Sequence, residues 1–201
     1  PSTTSPEIKS TGTSSGNGVY AVAAATYNFY DGKVVARTAS TINYVSKTDD
    51  DVNTPTNYAI VKTTANSVET AILKPAHTIT LKAGTGVSKL TLAGWTGTGT
   101  GTMTKVLGEG AVVNLSSVTV TNSTGYSGGT WSKTSGSGTL SGTSFTVGSG
   151  DTTLTVNATG NTYTATIYYN SNNTSGSTTI SHTTNLSCQV ANTAGNCTVN
   201  I

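Results

Sequence analysis

VYAVAAATYNFYDGKVVARTASTINYVSK, residues 19–47, is the stretch on which the fold reading turns. Two runs free of breakers flank Asp31 and Gly32, a dipeptide that favours a two-residue type I′ hairpin turn. The pattern predicts strands over about 19–30 and 33–46. Val19, Ala21, Ala23, Ala25, Tyr27 and Phe29 then share one face of the first strand. The alanines also suit a helix, but the β-branched and aromatic residues around them favour strand.

Outward from this hairpin the same alternation continues. Strands are expected at 57–63, 67–73, 77–82, 87–93, 103–107, 111–121, 143–147, 152–157, 162–169 and 177–181, with a C-terminal pair around the cysteines. Short strands with turns every 8–12 residues imply an all-β chain, an immunoglobulin-like or pilin-like antiparallel β-sandwich. Threonine mostly alternates with Val, Ile, Leu or Tyr along these runs. Its β-branch suits a strand while its hydroxyl solvates the outer face. Two Gly-rich patches, WTGTGTGT at 95–102 and GYSGGTWSKTSGSGTLSG at 125–142, read as long loops or as flat edge strands. One continuous sandwich is expected from 31 to 201, with a sub-boundary near 97–102 as the alternative. Residues 1–18 hold one large apolar residue, Ile8, and read as a flexible leader or as an arm that orders against a partner.

Composition narrows the function. Thr, Ser, Gly and Asn fill 108 of 201 positions, 9% of residues are charged, and the net charge is +2. Disorder driven by charge needs a large net charge, which this chain lacks. Scattered basic residues form no phosphate-tracking stripe, so nucleic acid is not an expected partner. No run approaches the roughly 20 apolar residues of a membrane span. The chain begins at Pro1 and reads as a mature product from which an export signal has been removed.

Cys188 and Cys197, in SCQVANTAGNC, read first as a disulfide stapling a hairpin, with Asn192 and Gly195 supplying the turn. Such a bond persists in an oxidising compartment. Two free thiols in a reducing one are the alternative. Asn-x-Ser/Thr sites for N-glycosylation occur at Asn114, Asn122, Asn157, Asn172, Asn173, Asn185 and Asn196. With 17 Asn and 68 Ser plus Thr, chance alone gives about six such sites, so their number carries no weight.

Catalytic hardware is thin. His77 and His182 stand apart from any nucleophile or acid at a motif spacing, and no G-x-S-x-G elbow exists. No catalytic residue, metal ligand or cofactor is assigned. Asp49, Asp50 and Asp51, with Asn53, form the one acidic cluster. They fail the EF-hand pattern and read as a polar turn. Trp95 and Trp131 border the Gly-rich patches. Both read as core anchors, with a sugar-stacking role as the basis of an alternative carbohydrate-binding module.

A structural role accounts for more of the chain. A sheet that lacks one strand exposes an unpaired edge, and a terminal strand from a neighbour can fill it. The narrow face at Val19, Ala21, Ala23, Ala25, Tyr27 and Phe29 is the first candidate donor. The leader around Ile8 is the alternative. In this layout and composition the chain resembles the thread pilins of thermoacidophilic archaea. That resemblance implies a glycosylated extracellular filament on the cell surface, a helical or linear homopolymer of identical subunits joined by an N-terminal donor strand. Adhesion to glycans or to neighbouring cells would be its task. Bacterial chaperone–usher pilins are similar in architecture but usually carry the disulfide near the domain start and a penultimate Tyr. Here the cysteines lie near the end, and the chain closes with Val199, Asn200 and Ile201. A surface-layer or coat protein is a further reading of the same composition.

Overall fold

Alternating Thr and aliphatic residues turn most of the described chain into strand. Among the described residues, helical bonding is confined to single 3-10 turns at Asp49–Asp51 and Leu115–Ser117. The computed structural model describes residues 1–10, 18–21, 26–37, 42–44, 48–97, 100–168, 175–181, 187–190 and 197–200. From 162 onward, and at 20, 21, 37 and 42–44, it describes the backbone alone.

The first eight strands are β1 (Glu7–Lys9), β2 (Val19–Ala21), β3 (Lys33–Arg37), β4 (Ile42–Tyr44), β5 (Tyr58–Ala65), β6 (Val68–Ala83), β7 (Val87–Thr91) and β8 (Thr102–Gly108). There follow β9 (Val112–Asn114), β10 (Thr119–Asn122), β11 (Tyr126–Ser135), β12 (Gly138–Ser141) and β13 (Ser144–Val147). The last are β14 (Thr152–Gly160), β15 (Thr162–Tyr168), β16 (Ser175–Ser181), β17 (Ser187–Val190) and β18 (Cys197–Asn200). One mixed sheet has the order β1-β3-β6-β14-β11, with β5 and β8 also bonded to β6. The pairs β10-β7, β15-β16 and β17-β18 are antiparallel, as is the triplet β12-β13-β9, whereas β2 and β4 run parallel. The fold is all-β, in mixed and antiparallel sheets.

Four local outcomes differ from the sequence expectation or refine it. The expected hairpin through Asp31 and Gly32 is not formed among the described residues. One edge of β3 is taken by β1 and the other by β6, while β2 finds β4 in parallel register. The two strands expected at 67–73 and 77–82 are one strand of 16 residues that runs through Pro75. Proline has no N–H to give a ladder. Here it falls where the β5 ladder ends, opposite Tyr58, and beyond Ile72, where the β3 ladder ends. The strand expected at 111–121 is interrupted. Asn114 Oδ1 accepts the Ser116 N–H at 3.1 Å and the Ser116 hydroxyl at 2.7 Å, an Asx turn that competes with the ladder. The Gly-rich patch at 125–142 takes its edge-strand reading in β11, which ends the order of the mixed sheet.

The chain divides into two compact units: Pro1–Thr80, Thr104–Ser116 and Lys133–Thr153 in the first, Leu81–Met103, Ser117–Ser132 and Leu154–Ile201 in the second. In the first unit, register decides the core. Val34 is opposite Ala71 and Ile60 is opposite Leu73, so these four share one face. Phe29 and Val52 pack with Val34, Ala71 and Leu73 into a buried cluster flanked by Val19, Tyr27, Tyr58 and Ile60. Each fully buried aliphatic contributes roughly 1.5–3 kcal/mol. In the second unit Leu81, Leu90, Leu154 and Val156 are fully buried, and Leu90 is aligned with Val120 across the β7–β10 pair.

Candidate functional site: the N-terminal edge of β3

Residues 1–10, read from sequence as part of a leader, are docked on residues 31–35. β1 lies parallel to β3, with Glu7, Ile8 and Lys9 aligned to Lys33, Val34 and Val35. Lys33 N–H donates to Pro6 O at 2.9 Å, Ser10 N–H to Val35 O at 2.9 Å, and Gly32 N–H to Ser2 O at 3.1 Å. The Asp31 carboxylate accepts from the Ser2 N–H and, at 2.9 Å, from the Gly32 N–H. Ser2 Oγ accepts from the Thr4 and Ser5 N–H groups at 3.2 and 3.1 Å, which folds the first residues into a local turn. Lys33 Nζ stands 3.2 Å from the Glu7 carboxylate.

Gly32 makes this docking sterically feasible. Its φ is +81°, a left-handed backbone that favours glycine. A Cβ there would sit 2.0 Å from Pro6 O, with no flexible side chain able to give way. The dipeptide expected to turn a hairpin instead holds open the space into which Pro6 settles.

The contact is small. β1 has three residues, and Ile8 stays 47% exposed although its partner Val34 is completely buried. No residue of 1–10 belongs to the buried cluster beneath. The two donor candidates therefore differ sharply in setting. Tyr27 and Phe29 are anchored in their own unit. Phe29 is buried, its N–H donates to Asn53 O at 2.9 Å, and the Asn53 N–H returns a bond to Tyr27 O at 3.0 Å. The two rings stack with centroids 6.5 Å apart, and burial pushes the Tyr27 phenol above its ordinary value. Val19 and Ala21 lie on β2, and Ala23 and Ala25 fall outside the described residues. Ile8, the alternative, lies on the small and accessible strand.

The acidic cluster is a capped turn held by lysines. Thr48 N–H and hydroxyl both donate to Asp51 Oδ2, at 2.8 and 3.1 Å. Lys62 Nζ stands 2.7 Å from Asp49 and Lys105 Nζ 2.8 Å from Asp50. A cleft of about 260 Å³ opens beside it, lined in part by Asp49, Asp50, Tyr58, Ile60, Lys105 and Val106. Among the described residues no three His, Cys, Asp or Glu side chains converge on a common point.

Trp95 and Trp131 are half-buried and stand outside the buried core to which the sequence reading assigned them. His77 lies on β6 with its Nε2 buried and without a hydrogen-bond partner among the described residues. His182 falls outside those residues.

Three of the acceptor asparagines are described. Asn114 is exposed, and its bonds run through Oδ1. Asn157 is exposed, with Oδ1 accepting the Thr85 N–H at 2.8 Å. Asn122 is half-buried; its Nδ2 donates to Gly128 O at 2.8 Å and its Oδ1 is buried without a partner. Asn172, Asn173, Asn185 and Asn196 fall outside the described residues. Cys188 and Cys197 lie on the antiparallel pair β17–β18, Cys188 opposite Val199 and Cys197 opposite Val190, and their side chains fall outside the described residues.

Compared with known protein families, characterised proteins and solved structures, the chain matches none. Among the described residues no helix is long and apolar enough to cross a membrane.

Sequence reading missed the pairing of residues 7–9 with residues 33–35. The signal was present in Glu7, Ile8 and Lys9, a charged–apolar–charged triplet that complements Lys33 and Val34 face by face.

Proposed function

We propose that this chain is a structural subunit of an extracellular filament, a pilin-like β-sandwich that joins its neighbours by exchanging its N-terminal strand. The observation that carries the reading is β1: a three-residue edge strand, tied to residues 31–35 and separate from the buried cluster. Such a strand can leave one acceptor for an identical one without unfolding its unit, which is domain swapping at low cost. A head-to-tail exchange of this kind propagates as an open fibre. The leader around Ile8 is the donor this geometry favours, since Tyr27 and Phe29 are held in the core of their own unit.

An oxidised Cys188 and Cys197 pair, and sugars at the exposed Asn114, belong to the same extracellular reading. On the folded chain the free Nδ2 of Asn114 is open to modification, whereas that of Asn122 is occupied. Peptide mapping of native material should find Asn114 occupied well above Asn122; equal occupancy would count against modification after folding.

Electron microscopy of purified chain tests the filament directly. The chain of 201 residues should form fibres, and a variant lacking residues 1–10 should remain monomeric. Fibres of normal length from the truncated chain would sink the proposal. The alternative, a carbohydrate-binding module, draws on the partial exposure of Trp95 and Trp131. Glycan-array binding by a monomer, lost on Trp131→Ala, would favour it.

A further inference from the structure

We infer that Asp31 and Gly32 form a site of spontaneous covalent modification, where side chain and main chain close to a succinimide that opens to isoaspartate. This stands apart from the filament reading and holds whether or not the chain forms fibres. Three observations carry it. Of Asp31, Asp49, Asp50, Asp51 and Asp151, only Asp31 precedes a glycine, so no side chain shields the nitrogen that must attack. The Gly32 nitrogen is 2.9 Å from Asp31 Oδ1, which makes the two groups that close the five-membered ring neighbours already. Asp31 is exposed, so water reaches the ring.

The reaction needs no reagent but water. The Gly32 nitrogen bonds to Asp31 Cγ, and its hydrogen leaves with the hydroxyl of the neutral carboxyl group as one water. A second water then adds to either ring carbonyl. Breaking the new nitrogen–Cγ bond restores aspartate. Breaking the bond between the nitrogen and the main-chain carbonyl carbon leaves the chain running through Cβ and Cγ. That product, isoaspartate, has the mass of aspartate and a main chain longer by one carbon.

Docked residues 1–10 act as a brake on this step. The Gly32 N–H is shared between Asp31 Oδ1 and, at 3.1 Å, Ser2 O, and the same Oδ1 also accepts the Ser2 N–H. Gly32 is buried against Pro6. For the nitrogen to meet Cγ the carboxyl group must turn and these bonds must part, so the rate follows local opening of the contact. Once made, isoaspartate holds the contact open. The added carbon moves the Gly32 and Lys33 N–H groups away from Ser2 O and Pro6 O, their present acceptors. No residue of the buried cluster is altered.

Peptide mapping after incubation in mild acid, where carboxyl groups are partly neutral, tests the site. Isoaspartate at position 31 should accumulate in a peptide of unchanged mass and altered retention, labelled by an isoaspartate-directed methyltransferase. Asn17, the one asparagine that precedes glycine, falls outside the described residues and would gain mass on deamidation, so the two are told apart. A variant lacking residues 1–10 should accumulate isoaspartate about fivefold faster than the chain of 201 residues. Ser2→Pro removes one N–H from Asp31 and should fall between the two. Its thermal transition should match wild type, which keeps the comparison free of unfolding. Asp31→Glu, which would need a six-membered ring, should accumulate none at that position. In the isomerised fraction, protease nicking within residues 1–10 should rise about tenfold over the unmodified fraction. No isoaspartate at position 31 in any of these chains overturns the site. An equal or slower rate without residues 1–10 overturns the brake, and unchanged nicking overturns the release.

Discussion

Two strands of the first unit, β1 and β5, each pair with a single strand among the described residues, and they are held very differently. β5 runs antiparallel along β6 with eight aligned residues, and it commits Val61 to the interior at 4% exposure. Its Ile60 and Tyr58 flank the cluster of Phe29, Val34, Val52, Ala71 and Leu73. β1 lies parallel to β3 with three aligned residues and leaves its one large apolar side chain, Ile8, half in water. Backbone bonding alone does not show how firmly a strand is held. The area of side chain committed to the core differs, and by that measure β5 belongs to the core of its unit whereas β1 lies at its margin.

The widest gap between the two regions should come from the core itself. Leu73→Ala, which removes the residue aligned with Ile60, should destabilise the chain by about 2–5 kcal/mol in urea denaturation. A loss below about 1 kcal/mol would mean that the cluster does not hold β5. Next comes the docking space. Gly32→Ala should add about 1–2 kcal/mol of left-handed backbone strain and displace Pro6. Hydrogen exchange at the Ser10 amide should then quicken tenfold or more, with amides within β5 unaffected. Equal loss of protection in β5 would merge the two regions that the structure separates.

Glu7→Gln probes the ion pair alone. Both partners are partly exposed, so the change should be under about 1 kcal/mol and should fade in high salt. The smallest effect is confined to alkali. Burial raises the Tyr27 phenol in the folded chain, so the unfolded phenol ionises first. The corresponding stability is full below about pH 10 and is lost as pH climbs past it. Urea midpoints measured between pH 9 and 11 should fall more steeply for wild type than for Tyr27→Phe. Identical slopes would place that ring in water.

Strand content was legible because Thr and aliphatic residues alternate with period two, and that alternation survives any tertiary arrangement. Partners were not legible. Asp31 and Gly32 carry the chemistry of a tight hairpin, yet nothing local reveals that Pro6 will occupy the space a side chain would need. Pro75 looks like the end of a strand. Only the register of β5 and β3 shows that its missing N–H falls at the last pair of the β5 ladder and past the end of the β3 ladder. Asn114 and Ser116 look like a modification signal, and the same hydroxyl and amide also turn the chain and end β9. Trp95 and Trp131 were assigned to the interior by size, and an apolar-poor chain turned out to fill its core with Leu, Val, Ile and Phe instead. In each case composition and spacing gave the local preference, and a distant segment decided how it was used.

The parallel course of β1 and β3 has a mechanical side. In a fibre joined through this contact, tension directed along the strands would load the bonds of Ser2, Pro6 and Ser10 together in shear, instead of peeling them one after another. Rupture then requires their simultaneous loss. Resistance to pulling is governed by the rate of crossing that barrier and not by the equilibrium strength of the joint. A joint loose enough to exchange at rest can thus be slow to fail under load, provided the load runs along the strand.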